Sequence, residues 1–142
     1  MTIAAILNDK GRAVESISSG RSVRDAIALL AERRIGALPV IDDGAVVGVF
    51  SERDVIYALA AEGAAALDKG VGEVMTAPAV TVAPKDAALG ALSLMTRRRI
   101  RHLPVIEEGR IVGLVSIGDV VKYRIERIEA DASAMRDYIQ SA

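Results

Sequence analysis

The chain has 142 residues, no cysteine, one histidine, few aromatics and a formal charge of −1, and 51% of it is apolar. Disulfides, thiolate metal sites and cysteine nucleophiles are excluded, and no global basic field is present to draw nucleic acid or an anionic membrane. A packed, cytoplasmic protein is expected, because no apolar run approaches a bilayer span and "MTIAAILNDKGR" lacks the basic start and long apolar stretch of a secretory signal.

In chain order, a short strand is expected around Ser16–Ile17. Ser22-Val23-Arg24-Asp25 then reads as a capping box that opens a helix to about Arg34, burying Ala26, Ile27, Leu30 and Ala31. "ALPVI" and "AVVGVF" flank the turn signal "DDG" and predict a hairpin, and a second helix begins at "SERD", Ser51 to Asp54. The joining segment "AEGAAALDKGVGEVMTAPA" leads to a strand around Thr81–Val82. A helix follows, started by Pro84 and Asp86, with Leu89, Leu92 and Met95 as its apolar stripe. "HLPVI", "EEG" and "RIVGLV" repeat the hairpin, and "SIGD", Ser116 to Asp119, repeats the helix start.

This recurrence is a duplication. Residues 35–56 lie over 100–121 at an offset of 65 without a gap, and 11 of the 22 pairs are identical. The fold class is therefore α/β (α+β), with two tandem β-α-β-β-α repeats related by a pseudo-twofold axis. Residues 1–64 make the first repeat with its N-terminal segment, and 65–127 the second with the linker. Residues 121–142 make a long C-terminal helix. In it Val121, Ile125, Ile128, Ala132, Met135 and Ile139 fall at steps of 4, 3, 4, 3 and 4, a heptad seam between charged flanks. Pairing with a second copy is the expected use, against folding back on the same chain.

Each S-x-x-D start has a plain reading as a helix cap, with Ser accepting from a free backbone N–H and Asp reaching back. It has a chemical one as well. A helix N-terminus offers N–H groups to an anion, and a carboxylate with spare lone pairs can accept two vicinal hydroxyls, as acidic residues do with a ribose. "RRRIRH" at 97–102 adds cations. Arg97 to Arg99 read as a solvated face, while Arg101 and His102, just before a strand, can turn into a cleft.

The motifs "hLPVI", acidic turn plus Gly, "hVGhhS" and "xxDh", present twice in register, strongly resemble the cystathionine-β-synthase (CBS) domain. Two in tandem resemble a CBS pair, or Bateman module, from about residue 5 to about 127, in the manner of small stand-alone CBS-pair proteins. The resemblance implies a regulatory module without catalysis. Its ligand would be an adenosine-containing molecule held in clefts between the repeats: AMP, ADP, ATP or NAD(H), with S-adenosylmethionine ranked behind them. No cofactor is required. It assigns ribose binding to Asp54 and Asp119, and places Ser51, Ser116, Arg53 and Ile117 at the caps beside the ligand. Phosphate contacts fall to Arg101 and His102, joined by Arg12 and Lys10. The adenine pocket of the Asp119 cleft would use Gly11, Val14, Ser16, Gly36 and Ala37, and that of the Asp54 cleft Thr76, Pro78 and Val80 with the backbone of Arg101 and His102. Since Lys10, Arg12, Arg101 and His102 could converge on Asp119, that cleft is expected to take the phosphorylated nucleotide more strongly.

Three rivals are weaker. A hydrolase lacks a G-x-S-x-G elbow, and His102 is a strand pair away from either Ser. DNA binding has too small a cationic footprint. An adaptor scaffold that dimerises through its last helix, with empty clefts, remains as the alternative. A homodimer and a protein effector are expected partners, with no nucleic acid and no membrane.

Overall fold

A computed structural model describes residues 1–141. The elements run α1 (Ile3–Lys10), α2 (Val23–Arg33), β1 (Ala37–Asp42), β2 (Ala45–Ser51), α3 (Glu52–Glu62), a 3-10 turn (Gly63–Asp68), α4 (Val71–Val74), α5 (Ala88–Arg98), β3 (His102–Glu107), β4 (Arg110–Ser116) and α6 (Ile117–Ser141). No helix among the described residues is long and apolar enough to cross a membrane.

Both hairpins form with the expected register. Asp43-Gly44 and Glu108-Gly109 all take positive φ, which makes two-residue turns whose twist matches the strands. Ala37 pairs with Ser51 and His102 with Ser116, with a register shift after Val40 and again after Val105. The short strands expected ahead of each unit reduce to single parallel bridges, Ile17 to Val40 and Val82 to Val105.

Two apolar cores result, and they cross the division drawn at 64/65. The first joins Ile17, Val23, Ala26, Leu30, Leu38, Val40 and Phe50 with Val71 of the linker. The second joins Val82, Ala88, Ala91, Met95, Leu103, Val105, Val115 and Val120 with Ile3, Ile6 and Leu7 of α1. Each unit is thus completed by the segment that precedes the other. The N-terminus is also fixed there by backbone bonds, Ile3 N to Asp86 O at 2.9 Å and Ala88 N to the Met1 carbonyl at 3.2 Å.

Helix α2 is capped by Ser22, whose hydroxyl accepts from Asp25 N at 3.0 Å, and it buries Val23, Ala26 and Leu30. Ala31 is exposed, one position off the buried stripe. Helix α5 starts at Ala88 and not at Pro84–Asp86, because the Asp86 carboxylate is held in a turn by Ala83 N at 2.8 Å. The buried stripe is Ala88, Ala91 and Met95, one position from the expected Leu89–Leu92 line, with Leu92 half-buried and Leu89 50% exposed.

Candidate functional site

Both S-x-x-D sequences sit where a return strand hands over to a helix, Ser51 closing β2 and Ser116 closing β4. The carbonyls just before the partner strands anchor the helix starts: Gly36 O accepts from Glu52 N at 3.1 Å, and Arg101 O from Ile117 N at 2.8 Å. The strand beginnings therefore lie beside both helix N-termini. They also meet one another, since a Cβ on Gly36 would stand 3.3 Å from Cε1 of His102.

A cavity of about 490 Å³ opens at the first helix start, a size suited to a small-molecule ligand. Asp54 lies on its wall and is 9% exposed. The Ser51 amide donates to Asp54 Oδ2 at 2.8 Å, Ser51 Oγ to the same oxygen at 3.2 Å, and Thr76 Oγ1 to Oδ1 at 2.9 Å. All three donors are neutral and no cation pairs with Asp54 among the described residues; three of the carboxylate's about four acceptor sites are taken, which leaves one on Oδ1, and the long Ser51 Oγ contact on Oδ2 is the one a ligand hydroxyl could replace. Thr76 is in place because the linker runs antiparallel to β2: Val49 N donates to Thr76 O and Thr76 N to Val49 O, each at 2.9 Å.

The rest of the lining divides by chemistry. Val49, Ile56, Pro78, Val80 and Ile100 give an apolar wall. Three arginines, Arg53, Arg99 and Arg101, line it as well, together with His102 and Glu52. Arg53 spans the two units by donating to the Arg99 carbonyl. Thr76, Pro78 and Val80, which the family resemblance assigns to the Asp54 cleft, line this cavity. Tyr57, Arg99 and Ile100 were missed as lining residues. The spacing Asp54 to Tyr57 puts both on one helix face and was a usable signal, whereas the left-handed backbone of Arg99 (φ 55°) was not readable.

The second helix start differs. Ser116 N donates to Asp119 Oδ2 at 2.8 Å, and Asp119 N donates to Ser116 Oγ at 3.1 Å, a reciprocal capping box. Lys10 Nζ, from the end of α1, reaches the same Oδ2 at 2.6 Å. Burial pushes the Asp119 carboxyl up, but the Lys10 ammonium and the Ser116 amide outweigh it and hold the group below the usual carboxylate range.

The expected convergence of four cations on Asp119 is therefore corrected. Of the four, only Lys10 makes an ion pair with Asp119. Arg12 donates back to Asn8 Oδ1 at 3.1 Å, one turn away on its own segment. Arg101 and His102 line the Asp54 cavity, because the start of β3 faces the opposite unit's helix. Gly36, assigned to the Asp119 side, lines the Asp54 cavity as well. Ala37 is buried in β1, Ile117 packs against the second core, Val14 is half-buried, and Gly11 and Ser16 are exposed.

His102 stands between the two helix starts. Burial depresses its pKa, Asp119 and Glu52 oppose that, and Lys10 and Arg101 reinforce it. A base depressed in the folded state takes its proton later than in the unfolded chain. Stability is therefore complete above about pH 6.5 and falls as the pH drops from there toward the folded value. Between about pH 7.5 and about pH 5.5, the melting temperature is expected to fall less in His102→Gln than in the wild type. Equal falls would show that His102 does not carry the effect.

Two β-α-β-β-α units, joined at their strand beginnings around a cleft that carries a buried carboxylate and cations, define a tandem ligand-binding module of the regulatory class. The chain belongs to the CBS domain family, whose model matches residues 10–61 and 71–126. The CBS domain-containing protein CBSX3, mitochondrial, of Arabidopsis thaliana is 32% identical over 148 residues, covering 98% of this chain and 72% of its own. The solved CBS-domain containing protein ATU1752 of Agrobacterium tumefaciens superposes with a TM-score of 0.85 at 40% identity, over 87% of this chain and 99% of that one. The CBS domain pair of protein MJ0100, solved in complex with 5′-methylthioadenosine and S-adenosyl-L-methionine, shares the fold at a TM-score of 0.75 and 24% identity, over 89% of this chain and 98% of that one.

Proposed function

We propose that the chain is a sensor of adenine nucleotides that binds AMP, ADP, ATP or NAD(H) at the Asp54 cleft and signals by a shift in the relation of its two repeats. The observation that carries this reading is the buried Asp54 carboxylate, bonded by neutral donors, on the wall of a cavity that also has an apolar side and three lining arginines. The carboxylate suits a ribose diol, the wall formed by Val80, Pro78 and Ile100 suits a purine, and Arg53, Arg99 and Arg101 suit phosphate oxygens. The MJ0100 pair, which has the same fold, holds adenosine compounds, and that supports the ligand class. The three arginines favour an anionic nucleotide over the cationic sulfonium of S-adenosylmethionine.

The cavity is lined from both units, so a ligand that fills it favours one relative orientation of the repeats. A panel of AMP, ADP, ATP, NAD, NADH and S-adenosylmethionine, screened by melting temperature, tests the reading. A ligand at a hundredfold its Kd adds about 2.7 kcal/mol of stability. A rise with at least one anionic nucleotide is expected, and no rise with any of them would favour the adaptor alternative.

Assembly forms the second half of the proposal. On α6 the seam residues Val121, Ile125, Ile128, Met135 and Ile139 are between 41% and 65% exposed, which a single chain leaves uncovered. Pairing with a second copy through this seam would bury them. Ile128→Glu is expected to convert a dimer into a monomer in light scattering. A wild type that is already monomeric, or an Ile128→Glu variant that stays dimeric, would remove the seam from the account.

A further inference from the structure

The two acidic caps are held by donors of different kinds, and the comparison is residue for residue. In the first unit the linker does the holding: Thr76 N donates to Val49 O, and Thr76 Oγ1 donates to Asp54 Oδ1, both at 2.9 Å. Leu114 and Asp119 are the positions of Val49 and Asp54 moved on by 65. There the Lys10 ammonium makes both contacts, to Leu114 O at 2.8 Å and to Asp119 Oδ2 at 2.6 Å. One cation from α1 stands in for a backbone amide and a hydroxyl together.

The chemical consequences differ. A hydroxyl leaves the Asp54 carboxylate with its charge. An ammonium pairs with the Asp119 charge and shares Oδ2 with the Ser116 amide, which leaves Oδ1 without a hydrogen bond among the described residues. The ammonium is a stronger donor to a carboxylate than a sugar hydroxyl is, and it is tethered, so it competes without any loss of free translation. It is also anchored twice, and α1 itself is fixed by Ile3, Ile6 and Leu7 in the second core.

We propose that Lys10 is a built-in occupant of the second helix start: its ammonium pairs with the Asp119 charge and takes the Oδ2 acceptor that a ribose hydroxyl would use, and the Asp54 cavity is left as the open site. This rests on the reading of the two Asp residues as ribose acceptors. It makes the chain a one-site module by virtue of a single side chain, and it ties the second site to the N-terminal helix.

Titration calorimetry of the full chain with AMP tests it, using the wild type, Lys10→Met and Asp54→Asn. Methionine keeps the length and apolar stem of Lys10, whose side chain is 36% exposed, so folding should be retained and is checked by a melt. The wild type is expected to bind one AMP per chain and Lys10→Met two, the first with unchanged affinity. Two sites in the wild type, one site in Lys10→Met, weaker binding in Lys10→Met or silence of both proteins toward AMP would each overturn the proposal. The proposed function fails separately: a wild-type AMP site that survives Asp54→Asn contradicts that reading, while a single site in both the wild type and Lys10→Met that is lost in Asp54→Asn overturns the plug and leaves the reading standing.

Discussion

Replacing Asp54 with alanine is expected to lower stability by about 2–4 kcal/mol and to weaken nucleotide binding by roughly a hundredfold or more. The stability loss follows from what the carboxylate holds. Its removal leaves the Ser51 amide, the Ser51 hydroxyl and the Thr76 hydroxyl without an acceptor in a nearly closed site. An unsatisfied buried donor costs about 1–3 kcal/mol and a lost cap about 1 kcal/mol, with some relief where the cavity admits water. The melting temperature should fall by roughly 5–15 °C. The binding loss follows from a charge-assisted hydrogen bond to the free site on Oδ1, worth about 1.5–3 kcal/mol, and from a second in which a ribose hydroxyl replaces the Ser51 hydroxyl on Oδ2. Asp119→Ala is the control. Its side chain is 23% exposed and its strongest partner is a surface lysine, so about 1 kcal/mol is expected, with no loss of nucleotide affinity. Equal effects of the two substitutions would contradict the inequality of the clefts.

The second large effect is expected at Gly48. A Cβ there would lie 2.6 Å from Met75 Sδ and 2.8 Å from the Thr76 carbonyl oxygen. That oxygen cannot retreat cheaply, because it accepts from Val49 N and belongs to the segment that presents Thr76 to Asp54. Gly48→Ala should cost about 1–3 kcal/mol by overpacking and should weaken nucleotide binding as well, although residue 48 is not on the cavity wall. Its repeat partner is the matching test. A Cβ on Gly113 meets only the end of the Leu7 side chain, at 2.7 and 2.8 Å, which can shift within the second core. Gly113→Ala should therefore be milder and leave the Asp54 site intact. Denaturant unfolding of both variants, with nucleotide binding measured in parallel, checks the pair. A larger cost at Gly113 would overturn the packing argument.

These two positions also show what the sequence could and could not disclose. The 65-residue offset, the two hairpins with their acidic-Gly turns and the two Ser caps were legible because each depends on neighbours in the chain. Gly48 and Gly113 occupy the same slot in the repeat, yet different segments press on them, the linker on one and α1 on the other. No local pattern encodes that exchange, since it is a contact between a segment and the unit it is not attached to. The same non-locality explains the misplaced cations. Arg101 and His102 belong to the second unit in sequence but face the first unit's helix start in space, and Lys10 reaches Asp119 across 109 positions. The choice of Asp54 and Asp119 came from the repeated S-x-x-D spacing together with the family resemblance. Which of them stands open is set by one lysine and one threonine, and required the structure.

A crystal structure of the protein grown with AMP decides whether an adenine nucleotide sits at Asp54 between the two repeats. AMP is expected in the Asp54 cavity, with both ribose hydroxyls on the carboxylate, the adenine against Val80 and Ile100, the phosphate among Arg53, Arg99 and Arg101, and Lys10 still on Asp119. AMP bound at Asp119 with Lys10 displaced, or a Asp54 cavity that stays free of nucleotide at saturating AMP, would contradict it.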